Sequence, residues 1–534
     1  MNVVIGSGPA GVAAATALLA QGQAVTMLDP GTRLEPEIEA RAARLGGRLP
    51  ESWTASERDA VKGPLRYNAE GAPLKLAFGS DYVYRDIDAL QPVTATHVDA
   101  YRSLATGGMS AIWGATVLPY ADADFDGWPI TADEMRPYYG SALRLTGMAA
   151  ERDALAATYP LHIDPTTHVG LSSQARHVWN RMMACAAELE RQHVHFGHAR
   201  LAIQQPTVAT VTSCVHCGMC LYGCPHGLIY SAQTTLERSL VEHPAFTYTR
   251  GVVVRRLIER GDGVSIDAVS RDGNPMRRID ASRVYLAAGT IASTAILLHS
   301  LQARGRVVVM QQSDHFLLPL LLTAASHGVA SERLHTLSQL FIELFDPSIS
   351  THAIHLQLYT YNDLYARMAE DRLGVFYPLA APLVARLIER LVMIKGYLHS
   401  SESAAIRASL EVRGDVPTLR LEAEGDTRAD PIIRGVTKVL MRNRRRIGAM
   451  PIRLGLRKGL PGSGVHVGGS FPMRRQPREF ESDVLGRPTG FARVHVVDAT
   501  VFPTVAAAST TLTIMANAFR IASCSARGEA SACS

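Results

Sequence analysis

The chain opens on a short apolar run, Val3-Val4-Ile5, which meets a glycine-rich turn and then an apolar stretch reaching Leu19. A second apolar run, Ala24 to Leu28, ends on Asp29. A brief apolar run, a turn and a longer apolar segment predict strand, helix and strand over residues 2–28. Residues 30–60 mix polar and apolar positions without a firm period. Residues 80–120 carry a second glycine-rich loop, and 130–200 predict mostly helix. From 246 to 288 the polarity alternates in short steps between Gly261-Asp262-Gly263 and Asp272-Gly273-Asn274, which predicts antiparallel strands. Residues 290–301 predict a helix. Residues 310–455 carry apolar segments and scattered arginines with no clear motif. Within them Leu379 to Leu398, with Leu383, Leu387, Leu391, Met393 and Ile394, predicts an apolar helix packed into the core in preference to a membrane-surface or partner face. The apolar stretch Phe316 to Ala325 is broken by Pro319 and falls short of the ~18 residues of a membrane span, so no transmembrane segment is expected.

The first turn reads Gly6-Ser7-Gly8-Pro9-Ala10-Gly11. Gly6 permits the tight turn, Gly8 lets backbone approach a pyrophosphate, and Gly11 allows close helix–strand packing. The helix N-terminus offers free N–H groups to phosphate. Asp29 stands where a ribose hydroxyl finds its partner. The fold class this predicts is α/β, with a Rossmann-like dinucleotide domain. The Gly-Pro-Ala-Gly variant is similar to that of flavin enzymes.

Further segments resemble the glucose–methanol–choline oxidoreductases, which hold FAD. Gly107-Gly108-Met109-Ser110-Ala111-Ile112-Trp113 resembles the loop passing the flavin, in its pyranose oxidase version. Ile112 stands where that enzyme has the histidine that bonds the flavin, so the resemblance implies non-covalent FAD. Val284 to Thr290, with Ala288 and Gly289, is similar to the family's strand beside the cofactor, and Val254 to the valine that meets the adenine. His466-Val467-Gly468-Gly469 resembles the motif of the catalytic histidine, and Asp498 lies in a segment like the family's Asp-x-Ser-x-x-Pro. Ser509, Thr510 and Thr511 open the last helix, whose N-terminus is implied to face the flavin edge that gains negative charge. The family's second catalytic residue, an Asn or His, aligns with Ser509, which hydrogen-bonds but does not act as a base near neutral pH. The resemblance thus implies His466 as base and flavin N5 as hydride acceptor for a sugar or other alcohol. It also implies FAD-binding segments at 1–120, 236–309 and 456–534, the last also catalytic. A partly helical cap would fill 121–204, a cysteine loop 205–235 and an α+β substrate domain 310–455.

The chain has 534 residues, 47% hydrophobic and 19% charged, enough for a large core. Its net charge of +5 is small for the length and gives no footprint for a nucleic-acid partner. No basic leader with a cleavage site precedes Asn2, so a cytoplasmic location is expected, with export alongside a signal-bearing partner still open. Arg442, Arg444, Arg445 and Arg446 read as a solvated face in preference to a dock for an acidic redox partner or a phosphorylated substrate.

Four of the seven cysteines, Cys214, Cys217, Cys220 and Cys224, fall within eleven residues at the spacing of bacterial ferredoxins. They predict an iron–sulfur cluster, 4Fe-4S preferred and 3Fe-4S possible, ahead of zinc or a thiol patch. Cys224 or the remote Cys185 would complete the set. His216 and His226 flank the run as neighbours rather than ligands, and Cys524 and Cys533 are expected to be bystanders. A cluster implies a one-electron carrier, a ferredoxin or a cytochrome. Two alternatives stay open: a ferredoxin-driven reductase of an unsaturated or carbonyl substrate, and a non-catalytic electron-transfer subunit.

Overall fold

The computed structural model describes all residues except 69–70, 72, 205–210, 414–415, 426–427 and 528–534; Cys533 thus lies outside the described residues. A five-stranded parallel sheet organises one half of the molecule. Its strands run Val494–Val496, Arg283–Leu286, Asn2–Ile5, Val25–Asp29 and Phe246–Arg250 across the sheet. The helix Pro9–Ala20 is buried nearly all round. Such a helix needs cover on two sides, and here the sheet lies on one and the helix Thr510–Arg527 on the other.

Phe246–Arg250 corrects the expectation of antiparallel strands at that point. It pairs in parallel with Val25–Asp29, in register from Val25 with Phe246 to Asp29 with Arg250. Gly251, at φ +87°, then breaks the chain away. The next strands, Val252–Arg260, Gly263–Ser270 and Ile279–Ala281, do form a separate antiparallel sheet.

A second large sheet is antiparallel. In order it holds Ala449–Pro451, His315–Leu322, Leu391–Tyr397, Ile354–Tyr359, Leu340–Leu344 and Val194–His198, with Arg457–Lys458 paired beside His315–Leu322. Phe316, Leu318, Ile342, Leu356, Leu358 and Ile394 point to one face and form a core with Val436 and Leu440 of the helix Ala429–Arg442. Because side chains alternate along a strand, the polar residues between them share the opposite face.

Two further expectations are revised. The helical reading of 130–200 holds for Ala132–Thr146 and Ser173–Met183, but Val194–His198 is a strand at the edge of the second sheet. The stretch 379–398 is not one core helix. It ends the helix Tyr377–Ile388 and then becomes the strand Leu391–Tyr397. Leu379 is 84% and Leu383 71% exposed, whereas Val392 and Ile394 are fully buried.

Candidate active site

A cavity of about 590 Å³ lies between the parallel sheet and the polar face of the second sheet. That volume is within the range of cofactor sites. Gly6, Gly8, Asp29, Gly108, Ser110 and Val254 line it, together with Ala288, Gly289, His466, Asp498, Ser509, Thr510 and Thr511. Gly11 and Gly107 stand behind the wall. A methyl group on Gly11 would come within 1.9 Å of the Gly6 carbonyl oxygen, so the first helix packs onto its own turn only through glycine. Gly8 is different: nothing lies within 4 Å of where its side chain would start, which leaves open space at the helix N-terminus.

Ser7, unremarked in the sequence, ties this loop together. Its N–H donates to Asp29 at 2.9 Å, and its hydroxyl accepts from the N–H of Gly107 at 2.9 Å. Asp29 also accepts from the Tyr248 hydroxyl at 3.1 Å, and burial raises its pKa against these bonds. Ser110 is occupied structurally: its hydroxyl donates to the Gly107 carbonyl and accepts from the Ala232 N–H. Asp498 accepts from Gly289, Ser293 and Thr500, which locks the 498–500 turn to the Arg283–Leu286 strand exit. Val254 lies at a break in strand register between Val254 and Arg256.

His466 enters from a short loop. Val465 before it has φ +63°, a strained conformation for a β-branched residue. The His466 carbonyl accepts from the Ser313 N–H at 3.0 Å. Its ring stacks on Tyr397, with centroids 4.6 Å apart. Nδ1 is buried with no hydrogen-bond partner among the described residues. Burial first, then the charge of Lys395, pushes its pKa down to about 3, so the imidazole is neutral at ordinary pH. Ser509 precedes the last helix, and its hydroxyl shares a 2.5 Å hydrogen bond with Thr116.

The polar face of the second sheet roofs the cavity with Gln357, Tyr359, Lys395 and Tyr397. Behind them runs a buried chain. Glu343 bonds His355 at 2.6 Å, His355 bonds Gln357 at 3.0 Å, and the Tyr359 hydroxyl donates to Gln357 at 2.7 Å. Sequence reasoning missed all of these. The one available signal was the alternation His355-Leu356-Gln357-Leu358-Tyr359.

The cysteine run lies beside the cavity, and Leu221 alone of that loop's centre reaches it. Cys214, Cys217, Cys220 and Cys224 are all free thiols. They lie close enough that Cys220 raises the pKa of Cys214, Cys217 and Cys224, after burial. The Leu228 N–H donates to the Cys224 sulfur at 3.4 Å. Yet among the described residues no three metal-binding side chains are set to hold an ion, so the four thiols are not a preformed cage. Cys185 sits apart, at the N-terminus of the short helix Ala186–Glu190. His226 is engaged elsewhere, with Nδ1 at 2.9 Å from the Gly46 carbonyl and its ring stacked on Trp53.

A family model described as GMC oxidoreductase matches residues 100–306, which span the flavin-loop motif, the cysteine run and the Ala288-Gly289 element. Paromamine 6'-oxidase of Streptomyces fradiae is 24% identical over 97% of this chain and 90% of its own length. The chain is an FAD-dependent oxidoreductase, similar over residues 100–306 to the GMC enzymes. A second relative, 6'''-hydroxyparomomycin C oxidase of Streptomyces lividus, is 24% identical over 56% of this chain and 49% of its own. Among solved structures, formate oxidase aligns with a TM-score of 0.61 at 13% identity, covering 100% of this chain and 99% of that one. Pyridoxine 4-oxidase from Mesorbium loti aligns with a TM-score of 0.58 at 17% identity, covering 98% of each chain. These two likenesses establish the shared fold of the enzyme. No described helix is long and apolar enough to cross a membrane.

Proposed function

We propose that this enzyme oxidises a hydroxyl group of a small molecule, a sugar or another alcohol, with His466 as proton acceptor and FAD bound without a covalent link. The observation that carries this reading is the convergence of a neutral, unpartnered imidazole and a dinucleotide cradle in one cavity. The cavity fits FAD. Gly8 leaves open space at a helix N-terminus, where phosphate is favoured, and Asp29 and Val254 line the wall. Gly6, Gly108, Ala288, Gly289, Thr510 and Thr511 would complete the hold, while Gly11, Gly107, Ser110 and Asp498 keep the wall in shape. FAD, when bound, supplies a two-electron hydride acceptor. His466 takes the hydroxyl proton. A base this weak accepts it only in step with the loss of hydride, which is where general-base catalysis contributes. Ser509, steadied by Thr116, offers a hydroxyl to the substrate oxygen. The names of the paromamine and hydroxyparomomycin oxidases support a hydroxyl-bearing sugar derivative as substrate.

The test is an anaerobic reductive half-reaction. The holoenzyme is mixed with a panel of sugars and alcohols while flavin absorbance is followed. At least one alcohol should bleach the flavin, and His466→Ala should retain FAD yet bleach on the order of 10²–10⁴ times more slowly. No bleaching, or equal rates in the variant, overturns the reading. The ferredoxin-driven reductase needs the opposite result: inert alcohols, and a flavin reoxidised by an unsaturated or carbonyl compound.

A second reading concerns where the electrons go. The cysteine spacing, the absence of disulfides among the four thiols and the N–H donated to Cys224 support an iron–sulfur cluster feeding a one-electron carrier. The unformed cage stands against it. Iron and acid-labile sulfide analysis of anaerobically purified protein, with EPR before and after reduction, decides. Three or four irons with matching sulfide establish the cluster, and iron-free FAD protein removes it.

A further inference from the structure

Two lysines face the reacting end of the cavity, and nothing in the chemistry above uses them. Lys395 lies on the roof strand in register with Gln357, with its side chain on the cavity face. Its ammonium sits 5.1 Å from the centre of the Tyr397 ring, the ring that stacks on His466. Lys75 comes from the opposite side and donates one hydrogen to the Trp113 carbonyl at 2.6 Å.

Neither ammonium meets a carboxylate among the described residues. Lys395 is near the phenol of Tyr359, Lys75 is near Cys220, and the two lysines repel each other. Three carboxylates line the cavity. Asp29 and Asp498 are taken up by their own hydrogen bonds, and Asp99, whose Oδ2 is buried without a partner among the described residues, forms no ion pair with either lysine. Both lysines are half-buried. Two partly desolvated like charges in one cavity repel, and that repulsion is relieved when an anion sits between them. Burial lowers both lysines, Lys75 to about 8, as unpaired ammoniums require.

We infer that the substrate of this enzyme carries an anionic group, a carboxylate or a phosphate, which Lys395 binds with Lys75 as its neighbour. This rests on alcohol oxidation as the reaction and narrows its substrate class. The placement has a chemical benefit. The charge of Lys395 is one of the influences that hold His466 acidic. An anion bound to Lys395 offsets that charge and makes the imidazole a better base at the moment the hydroxyl is in place.

The experiment is a binding titration of the FAD-loaded enzyme, so it reads independently of turnover. Acetate, benzoate and phenyl phosphate are compared with acetamide and benzamide, with the visible flavin spectrum as the signal. At least one anion should perturb the flavin with an apparent Kd roughly tenfold or more below that of its neutral counterpart, as a charge-assisted hydrogen bond confers. Lys395→Met should lose that preference, while Lys395→Arg should keep it within a few-fold. The FAD content and unliganded spectrum of each variant verify the fold, and Lys75→Met provides a second test should Lys395→Met fail to retain FAD. Phenyl phosphate outcompeting benzoate assigns the anion as phosphate, and the reverse assigns carboxylate. Amides that bind as well as the anions, no perturbation by any anion, or an undiminished preference in the methionine variants each overturn the proposal. A flavin that no alcohol reduces but that anions perturb through Lys395 would refute the reaction and leave the anion site standing.

Discussion

The phenol ring of Tyr397 lies 4.6 Å from the imidazole of His466, with the two planes 20° apart. The same phenol ring also faces His355 at 6.2 Å. A histidine in a strained loop thus takes its orientation from a strand of the opposite sheet. Tyr397→Phe keeps the stack and should leave hydride transfer within a few-fold of the parent enzyme. Tyr397→Ala frees the imidazole and should slow flavin reduction by about tenfold to a hundredfold with FAD retained. Stopped-flow absorbance checks both.

Gly11→Ala places a methyl group on the Gly6 carbonyl. Relief requires the first helix to move off its turn, at a cost of about 1–3 kcal/mol. The purified variant should carry severalfold less FAD per chain and melt at lower temperature. A full complement of flavin by absorbance ratio would refute the packing argument.

Acid should weaken the fold. Burial holds His335, His399 and His466 down to about 3 and His495 to about 4. Between those values and about 6.5 the unfolded chain binds protons that the folded chain refuses. Their contribution is therefore fully present above pH 6.5 and is lost as the pH falls. Asp124, pushed up to about 7 by burial, acts in the opposite sense, with its contribution complete below 3.8 and lost as the pH rises through 7. Burial also lowers His162 to about 4, lowers His198, His216, His226, His299 and His315, and raises Asp29, Asp99, Asp153 and Asp498. Ten histidines against five carboxylates thus predict a melting temperature that drops from pH 6.5 to pH 4. Calorimetry across that range is the check, and a flat or rising profile contradicts it.

Glu343 and His355 are fully buried partners at 2.6 Å. Glu343→Leu leaves the imidazole without its partner and should cost roughly 1–3 kcal/mol, more than Glu343→Gln, which preserves an acceptor. Denaturant titration ranks the two variants.

Leu379 and Leu383 project into solvent despite their helical spacing. Leu379→Ser and Leu383→Ser should shift stability by no more than about 0.5 kcal/mol, as surface changes do. The buried Ile394→Ala, a few residues on, should cost about 2–5 kcal/mol.

The cofactor half was legible because its signals are local. A strand, a glycine turn, a helix and an acid follow one another from Val3 to Asp29, and each residue type answers a steric demand of that one unit. The roof was not legible, because its chemistry arises between strands distant in sequence. Lys395 meets Gln357 only through strand pairing, and within 379–398 apolar residues at 383, 387, 391 and 394 satisfy a helical period even where the chain is extended. Periodicity cannot arbitrate there, since a short apolar run suits either element. The cysteine run shows the converse. Its spacing reads plainly, but spacing alone does not fix where the sulfurs point.

The parallel sheet takes an edge strand from Val494–Val496, and the first helix is covered by Thr510–Arg527. During synthesis the apolar Pro9–Ala20 segment therefore leaves the ribosome nearly five hundred residues before its cover does. At about 5–20 residues per second that interval is tens of seconds, long enough for an uncovered helix to find other apolar surfaces. The second sheet, drawn from residues 194–458, can close earlier. Assembly of the cofactor half is thus deferred until Thr510–Arg527 has been made, and a chain stopped short of that helix would leave its nucleotide cradle without a floor.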